Sequence, residues 1–277
     1  MSVLLLIAFG ANVAYSAVSI IFPQTVLQHS LSSSYVAWII AGYPVSMMIF
    51  AGVVSTMLNK CGKKITLLIG VMSQSISLIL FGYCNLLGHK GNEKYIYFAC
   101  CFLCRMVQGF GNSCINSATS SIIAFNYPDN LAFLMGMQQI FNNAGMLLGP
   151  IIGSWINNNW GYTSAFNVNA GLLLILFVIA LIVYPYDPPL IELEDNGNQK
   201  NPEALRPITI GTLIRRFNIF SVACCTACAL YAFTFKESIL SITMENYVGL
   251  TPNYCSFIQM VESAMFIGFS LLISLIP

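Results

Sequence analysis

Charge is scarce in this chain. Its 277 residues include 11 Lys and Arg and 10 Asp and Glu, so 8% are charged, where soluble domains carry about 25%. That deficit excludes an ordinary soluble domain. The formal net charge is +1 and the basic residues are scattered, which excludes nucleic acid or another polyanion as partner. Histidine is nearly missing: His29 and His89 both fall in predicted loops, where a lone imidazole is usually solvated. No Walker loop, dinucleotide fingerprint or zinc-ligand spacing occurs, so nothing supports a soluble-type catalytic site, an enzyme, a metal centre or a cofactor.

Cysteine, in contrast, is plentiful at ten, but most of it lies inside apolar segments, where it behaves as a small hydrophobe. Cys101-x-x-Cys104 and Cys225-x-x-Cys228 have a redox or metal spacing, yet each sits in a helical apolar run without clustered histidine, and the packing reading is preferred. With 57% hydrophobic residues, runs near the roughly 20 residues needed to cross a bilayer recur along the chain. They predict an all-α membrane protein with helices over 2–22, 35–58, 65–87, 95–118, 131–156 and 162–184. A hydrophilic stretch follows, and two further helices start near Phe217 and Tyr254.

The organisation is therefore a six-helix bundle over 1–184, a linker over 185–211, and a partial second bundle over 212–277. The first apolar run lacks a basic n-region and exceeds the 7–15 residues of a signal-peptide core, so it reads as a spanning helix. Its start at residue 2, with no preceding tail, points to a missing N-terminus. With that N-terminus cytoplasmic, Lys60, Lys63, Lys64, Lys200, Arg206, Arg215 and Arg216 fall inside, and only Lys90 and Lys94 outside. This obeys the positive-inside rule and makes the linker cytoplasmic. A short internal echo, Asn59-Lys60-Cys61-Gly62 before the third helix and Asn159-Trp160-Gly161 before the sixth, falls on opposite sides of the membrane, as an inverted repeat requires.

The candidate functional residues are the polar ones inside these runs. Arg105 lies in an uncharged span, where a guanidinium costs roughly 2.5–3.5 kcal/mol on insertion scales and so faces a cavity or a partner. Gln108, Asn112 and Asn116 share its helix face. Such a row suits a watery cavity that binds or relays; it equally suits hydrogen bonding between helices. In the fifth helix Gln138, Gln139, Asn142 and Asn143 precede Gly145-x-x-x-Gly149-Pro150-x-x-Gly153. The glycines make a smooth face for close helix approach, and Pro150 removes the hydrogen bond that the Met146 carbonyl would accept, which predicts a bend. Gln139 and Asn143 lie on a neighbouring face and are candidates to line the cavity. Two acids of the second block, Glu237 and Glu262, suit proton binding or contact with a cationic solute, because burial raises a carboxyl pKa. An interfacial position for Glu237 stays open.

These motifs resemble the major facilitator superfamily, in which two six-helix bundles rock around a central site. Arg105-x-x-Gln108-Gly109-x-Gly111 is similar to its helix-4 signature, where the arginine is tied to proton coupling. The Gly145–Gly153 face is similar to the helix-5 signature of the drug:proton antiporter branches. Asn126-Tyr127-Pro128-Asp129-Asn130, Leu148-Gly149-Pro150 and Gly161-Tyr162 resemble the vesicular amine and polyamine transporters of solute carrier family 18, with the chain corresponding to the first eight of twelve helices. Two departures stand out. The gating loop between helices 2 and 3 reads Ser55-x-x-x-Asn59-Lys60-Cys61-Gly62-Lys63-Lys64, with Asn59 where the family has the aspartate that latches the cytoplasmic gate. The first helix offers Asn12 where classical monoamine carriers have an acid, which fits a polyamine better than a monoamine.

The resemblance implies proton-coupled antiport of a small organic cation across an internal or surface membrane, with protons, solute and lipid bilayer as partners. Arg105 would tune coupling with Glu237 or Glu262, and Asn12, Gln108, Asn112, Gln139 and Asn143 would line the cavity. A truncated, non-transporting protein with a scaffold or regulatory role is the alternative.

Overall fold

The computed structural model describes residues 1–28, 33–86 and 93–184, with isolated helical positions 221, 224, 225, 228, 261 and 265. The linker over 185–211, most of 212–277, and with them Glu237 and Glu262, lie outside the described residues. Six long helices carry the described chain: α1 Ser2–Gln28, α2 Ser33–Cys61, α3 Lys63–Cys84, α4 Glu93–Asn126, α5 Leu131–Trp160 and α6 Tyr162–Val183. A short 3-10 turn, Pro128–Asn130, leads into α5.

Each of the six apolar runs among the described residues forms a helix, because a helix satisfies every backbone N–H and C=O within its own segment, which lipid requires. The ends differ from those expected. Each run marks the lipid-facing middle of its helix, while α2, α4 and α5 continue past it through polar residues such as Asn59, Asn126 and Asn158. The first helix continues through Pro23 to Gln28; the proline withholds one N–H from the ladder without ending it. The third ends early, at Cys84, where the Leu86 N–H closes a tighter bond to the Tyr83 carbonyl at 3.0 Å. Among the described residues, α1, α2, α3 and α6 are long and apolar enough to cross a membrane. Helices α4 and α5 are longer still at 34 and 30 residues, with the polar rows interrupting their apolar sequence.

Two turns are a single residue long. Gly62 joins α2 to α3 and Gly161 joins α5 to α6, both at positive φ, which an L side chain seldom adopts. Between these turns α1 packs on α5 and α2 on α4, while α3 fits between α4 and α6. Close approach of α3 and α4 depends on glycine: a Cβ at Gly111 would lie 2.7 Å from the Gly70 carbonyl oxygen. The core runs from Leu4 and Ile7 through Leu67 and Leu173 to an aromatic group. In that group Phe81 of α3 contacts Phe22 of α1 and Phe166 of α6, with centroids 5.1 and 5.4 Å away. Cys84, Cys101 and Cys104 are buried in the same core. Outward-facing positions are apolar as well: Trp38, Met48, Ile175 and Ile182 are 60–76% exposed, a surface that water would not tolerate but lipid does.

A candidate site around Arg105

Arg105 of α4 has no solvent exposure. One guanidinium nitrogen donates to Gln108 Oε1 at 2.6 Å, one helical turn away. Two aromatic rings face its charge, Tyr15 of α1 at 5.4 Å and Tyr43 of α2 at 5.3 Å from the guanidinium carbon. The tyrosines stack on each other with centroids 4.3 Å apart and planes at 28°. A cation over aromatic faces gains about 2 kcal/mol or more when both are desolvated. Three helices thus converge on one buried charge.

Small residues of α2 and α4 make the convergence possible. A Cβ at Gly109 would collide with the Tyr43 carbonyl, and one at Gly42 would lie 3.1 Å from the Phe102 ring and 3.6 Å from Arg105 Cβ. Ser46 Oγ donates across the same contact to the Met106 carbonyl. Sequence reasoning named Arg105 and Gln108 but missed Tyr15, Tyr43 and Ser46, which sit in apolar runs and carry no charge signal.

The amides expected in the cavity separate by burial. Asn12 is buried and donates both to the Ala8 carbonyl at 2.8 Å and to Asn142 Oδ1 of α5 at 3.0 Å, joining α1 to α5. Asn112 is buried beside Met47 of α2, its Nδ2 3.8 Å from the sulfur. Asn143 is buried and donates to the Gln139 carbonyl at 2.8 Å, whereas the Gln139 side chain is exposed.

The glycine face of α5 meets α1 directly. A Cβ on Gly145 would collide with the Phe9 carbonyl, and one on Gly149 with Ser16 Oγ; on Gly153 it would lie 2.8 Å from Ala17 Cβ. Ser16 Oγ donates to its own helix at the Asn12 carbonyl, 2.9 Å, and reaches the Gly145 carbonyl at 3.3 Å. Half-buried Pro150 sits within an unbroken α5.

Asn59 and Lys60, expected in a gating loop, are instead exposed residues in the last turn of α2. Lys63 and Lys64 begin α3, where positive charge opposes the helix dipole. Both turn away. Lys63 is buried with its ammonium 3.4 Å over the Phe125 ring of α4. Lys64 donates to the carbonyls of Leu181, at 3.0 Å, and Tyr184, at the end of α6, where the dipole favours a cation.

This arrangement has recognisable relatives. The chain is 26% identical to the mouse MFS-type transporter SLC18B1 over 262 residues, covering 95% of this chain and 52% of the relative. It is 26% identical to the quinolone resistance protein NorA of Staphylococcus aureus strain Mu50 over 274 residues, 92% of this chain and 66% of NorA. The chain thus spans about half the length of the first of these relatives. The fold matches the solved structure of a D-xylose-proton symporter with a TM-score of 0.66 at 16% identity, covering 98% of this chain and 67% of that one. The family sequence model described as Major Facilitator Superfamily matches residues 4–276. With apolar helices of spanning length, an apolar exterior and that match along nearly its whole length, the chain is an integral multi-pass membrane protein and belongs to the Major Facilitator Superfamily.

Proposed function

We propose that this chain forms the N-terminal bundle and the start of the second bundle of a secondary active transporter exchanging protons for an organic cation, an amine or polyamine. In this reading residues 1–184 are the first bundle, 185–211 a cytoplasmic linker, and 212–277 part of the second bundle. The observation that carries the reading is the fully buried Arg105, held by Gln108 and two tyrosines where three helices meet. A charge so costly to bury is retained for use. A nearby cation lowers a carboxyl pKa and eases proton release, and Glu237 and Glu262 are the acids proposed to respond. Support for transport comes from relatives named as a transporter and a quinolone resistance protein; support for an amine comes from the motifs shared with amine and polyamine carriers.

The test is uptake of a labelled polyamine by the full-length protein in proteoliposomes with an imposed pH gradient. Gradient-dependent accumulation that disappears in Arg105→Ala is the expected result. Accumulation that ignores the gradient in the native protein removes proton coupling; no accumulation of any organic cation removes the substrate class.

A further inference from the structure

Three buried polar atoms on one face of α4 have no hydrogen-bond partner among the described residues: Gln108 Nε2, Asn112 Oδ1 and Thr119 Oγ. Their residues are 2%, 4% and 0% exposed. With half-buried Asn116 between the last two, the positions follow one another at intervals of four, four and three residues, so their side chains form a single column along the helix. Thr119 is informative because other buried hydroxyls of this bundle find a carbonyl acceptor, on a neighbouring helix for Ser46 and Ser77 and on their own helix for three more. Ser16 reaches the Asn12 carbonyl, Thr66 the Gly62 carbonyl and Ser75 the Val71 carbonyl, the usual recourse of a buried helical hydroxyl.

We infer that this column binds a file of ordered water molecules along α4, beginning beside Arg105 and running toward Asn126. Neighbouring side chains in such a column start about 5–6 Å apart. Two hydrogen bonds through one water span about the same distance, since each is near 2.8–2.9 Å. The polarity matches: water between Gln108 and Asn112 accepts from the Gln108 N–H and donates to Asn112 Oδ1. The next molecule meets Asn116, and the Thr119 hydroxyl both donates and accepts. Buried waters typically take two to four such partners from otherwise unsatisfied groups. Because Gln108 is itself bonded to Arg105, the file gives the buried guanidinium a hydrogen-bonded path along the helix. The hydration does not depend on the transport reading and is measured without a substrate.

Water-edited solid-state NMR of the full-length protein in lipid bilayers tests it. Magnetisation from water is expected to reach Gln108, Asn112 and Thr119 at least about threefold faster than Ser75, a buried hydroxyl already satisfied by its own helix. Thr119→Val, which keeps the shape and removes the hydroxyl, is expected to slow transfer to Asn112, and Thr119→Ser to restore it. Build-up at all three residues as slow as at Ser75 overturns the file, whether or not the protein transports. If Thr119→Val does not fold, the comparison within the native protein decides alone.

Discussion

Gly62 and Gly161 hold the same backbone conformation, φ 85° with ψ 166° and φ 86° with ψ 169°, each as the one residue between two helices. The first reverses the chain between α2 and α3, the second between α5 and α6, so two three-helix units turn at equivalent places. The packing repeats the relationship, with α1 on α5 answered by α2 on α4. The short sequence echo before each glycine is the trace of this geometry, and it persists because this region of φ and ψ is open almost only to glycine.

Alanine at either glycine is therefore expected to destabilise the bundle by roughly 1–3 kcal/mol, the usual cost of such a strained backbone. Gly161 is the cleaner case, since a Cβ there meets nothing within 4 Å and any loss comes from the backbone. Thermal unfolding of Gly161→Ala in detergent checks it, with Gly171→Ala as control, a helical position equally open around a Cβ. Equal midpoints for the two variants would show that the turn relaxes without strain.

Lys64 ties the start of α3 to the end of α6, and its two carbonyl acceptors are among those a helix end leaves unsatisfied. Lys64→Met keeps much of the apolar stem but loses the ammonium. Amide exchange of the last turn of α6 is expected to quicken, with a stability loss of about 0.3–1 kcal/mol, the range for a terminal charge at a helix end. Lys64→Arg should retain most of the protection. Unchanged exchange at Ile182–Tyr184 in Lys64→Met would show that the contact contributes nothing.

How much of this was legible beforehand depended on whether a feature announces itself through polarity. The six spans of the first bundle were, because lipid demands long apolar runs. Arg105 and Gln108 were, because they interrupt one. The stacked Tyr15 and Tyr43 were not, since an aromatic residue in an apolar run looks the same whether it faces lipid, core or a cation. Nor was the inward turn of Lys63 and Lys64: sequence gives their charge and loop position, while the acceptors on α4 and α6 come from distant parts of the chain. Helix ends were misread where polar residues continue the helix beyond the apolar stretch, as at Gln28 and Trp160.

Side-chain volume on the α5 glycine face should be tolerated poorly. Gly149 faces Ser16 and the Val13 carbonyl so closely that even a methyl group collides. Gly149→Leu is expected to separate α1 from α5 and impair transport, with Gly149→Ala intermediate, because close helix approach in a membrane depends on small residues. Normal expression and normal uptake by Gly149→Leu in proteoliposomes would mean that α1 and α5 do not need this contact.

The acids of the second block decide whether Arg105 acts in proton coupling. A carboxyl group that cycles through protonation must lose function when its proton can no longer leave, and glutamine imitates the permanently protonated form. Glu237→Gln and Glu262→Gln are therefore expected to differ: the coupling residue loses gradient-driven uptake, and a structural one keeps it. Arg105→Lys separates charge from shape. It preserves the positive charge that lowers a neighbouring pKa but not the planar five-donor fork that can hold Gln108 while facing two tyrosine rings. Partial activity in Arg105→Lys and none in Arg105→Ala is the expected pattern, read as initial rates of labelled polyamine uptake against the imposed pH gradient. Unchanged pH-dependent uptake in Arg105→Ala and in the Glu237→Gln, Glu262→Gln double variant would rule out coupling through these residues and leave it to other groups.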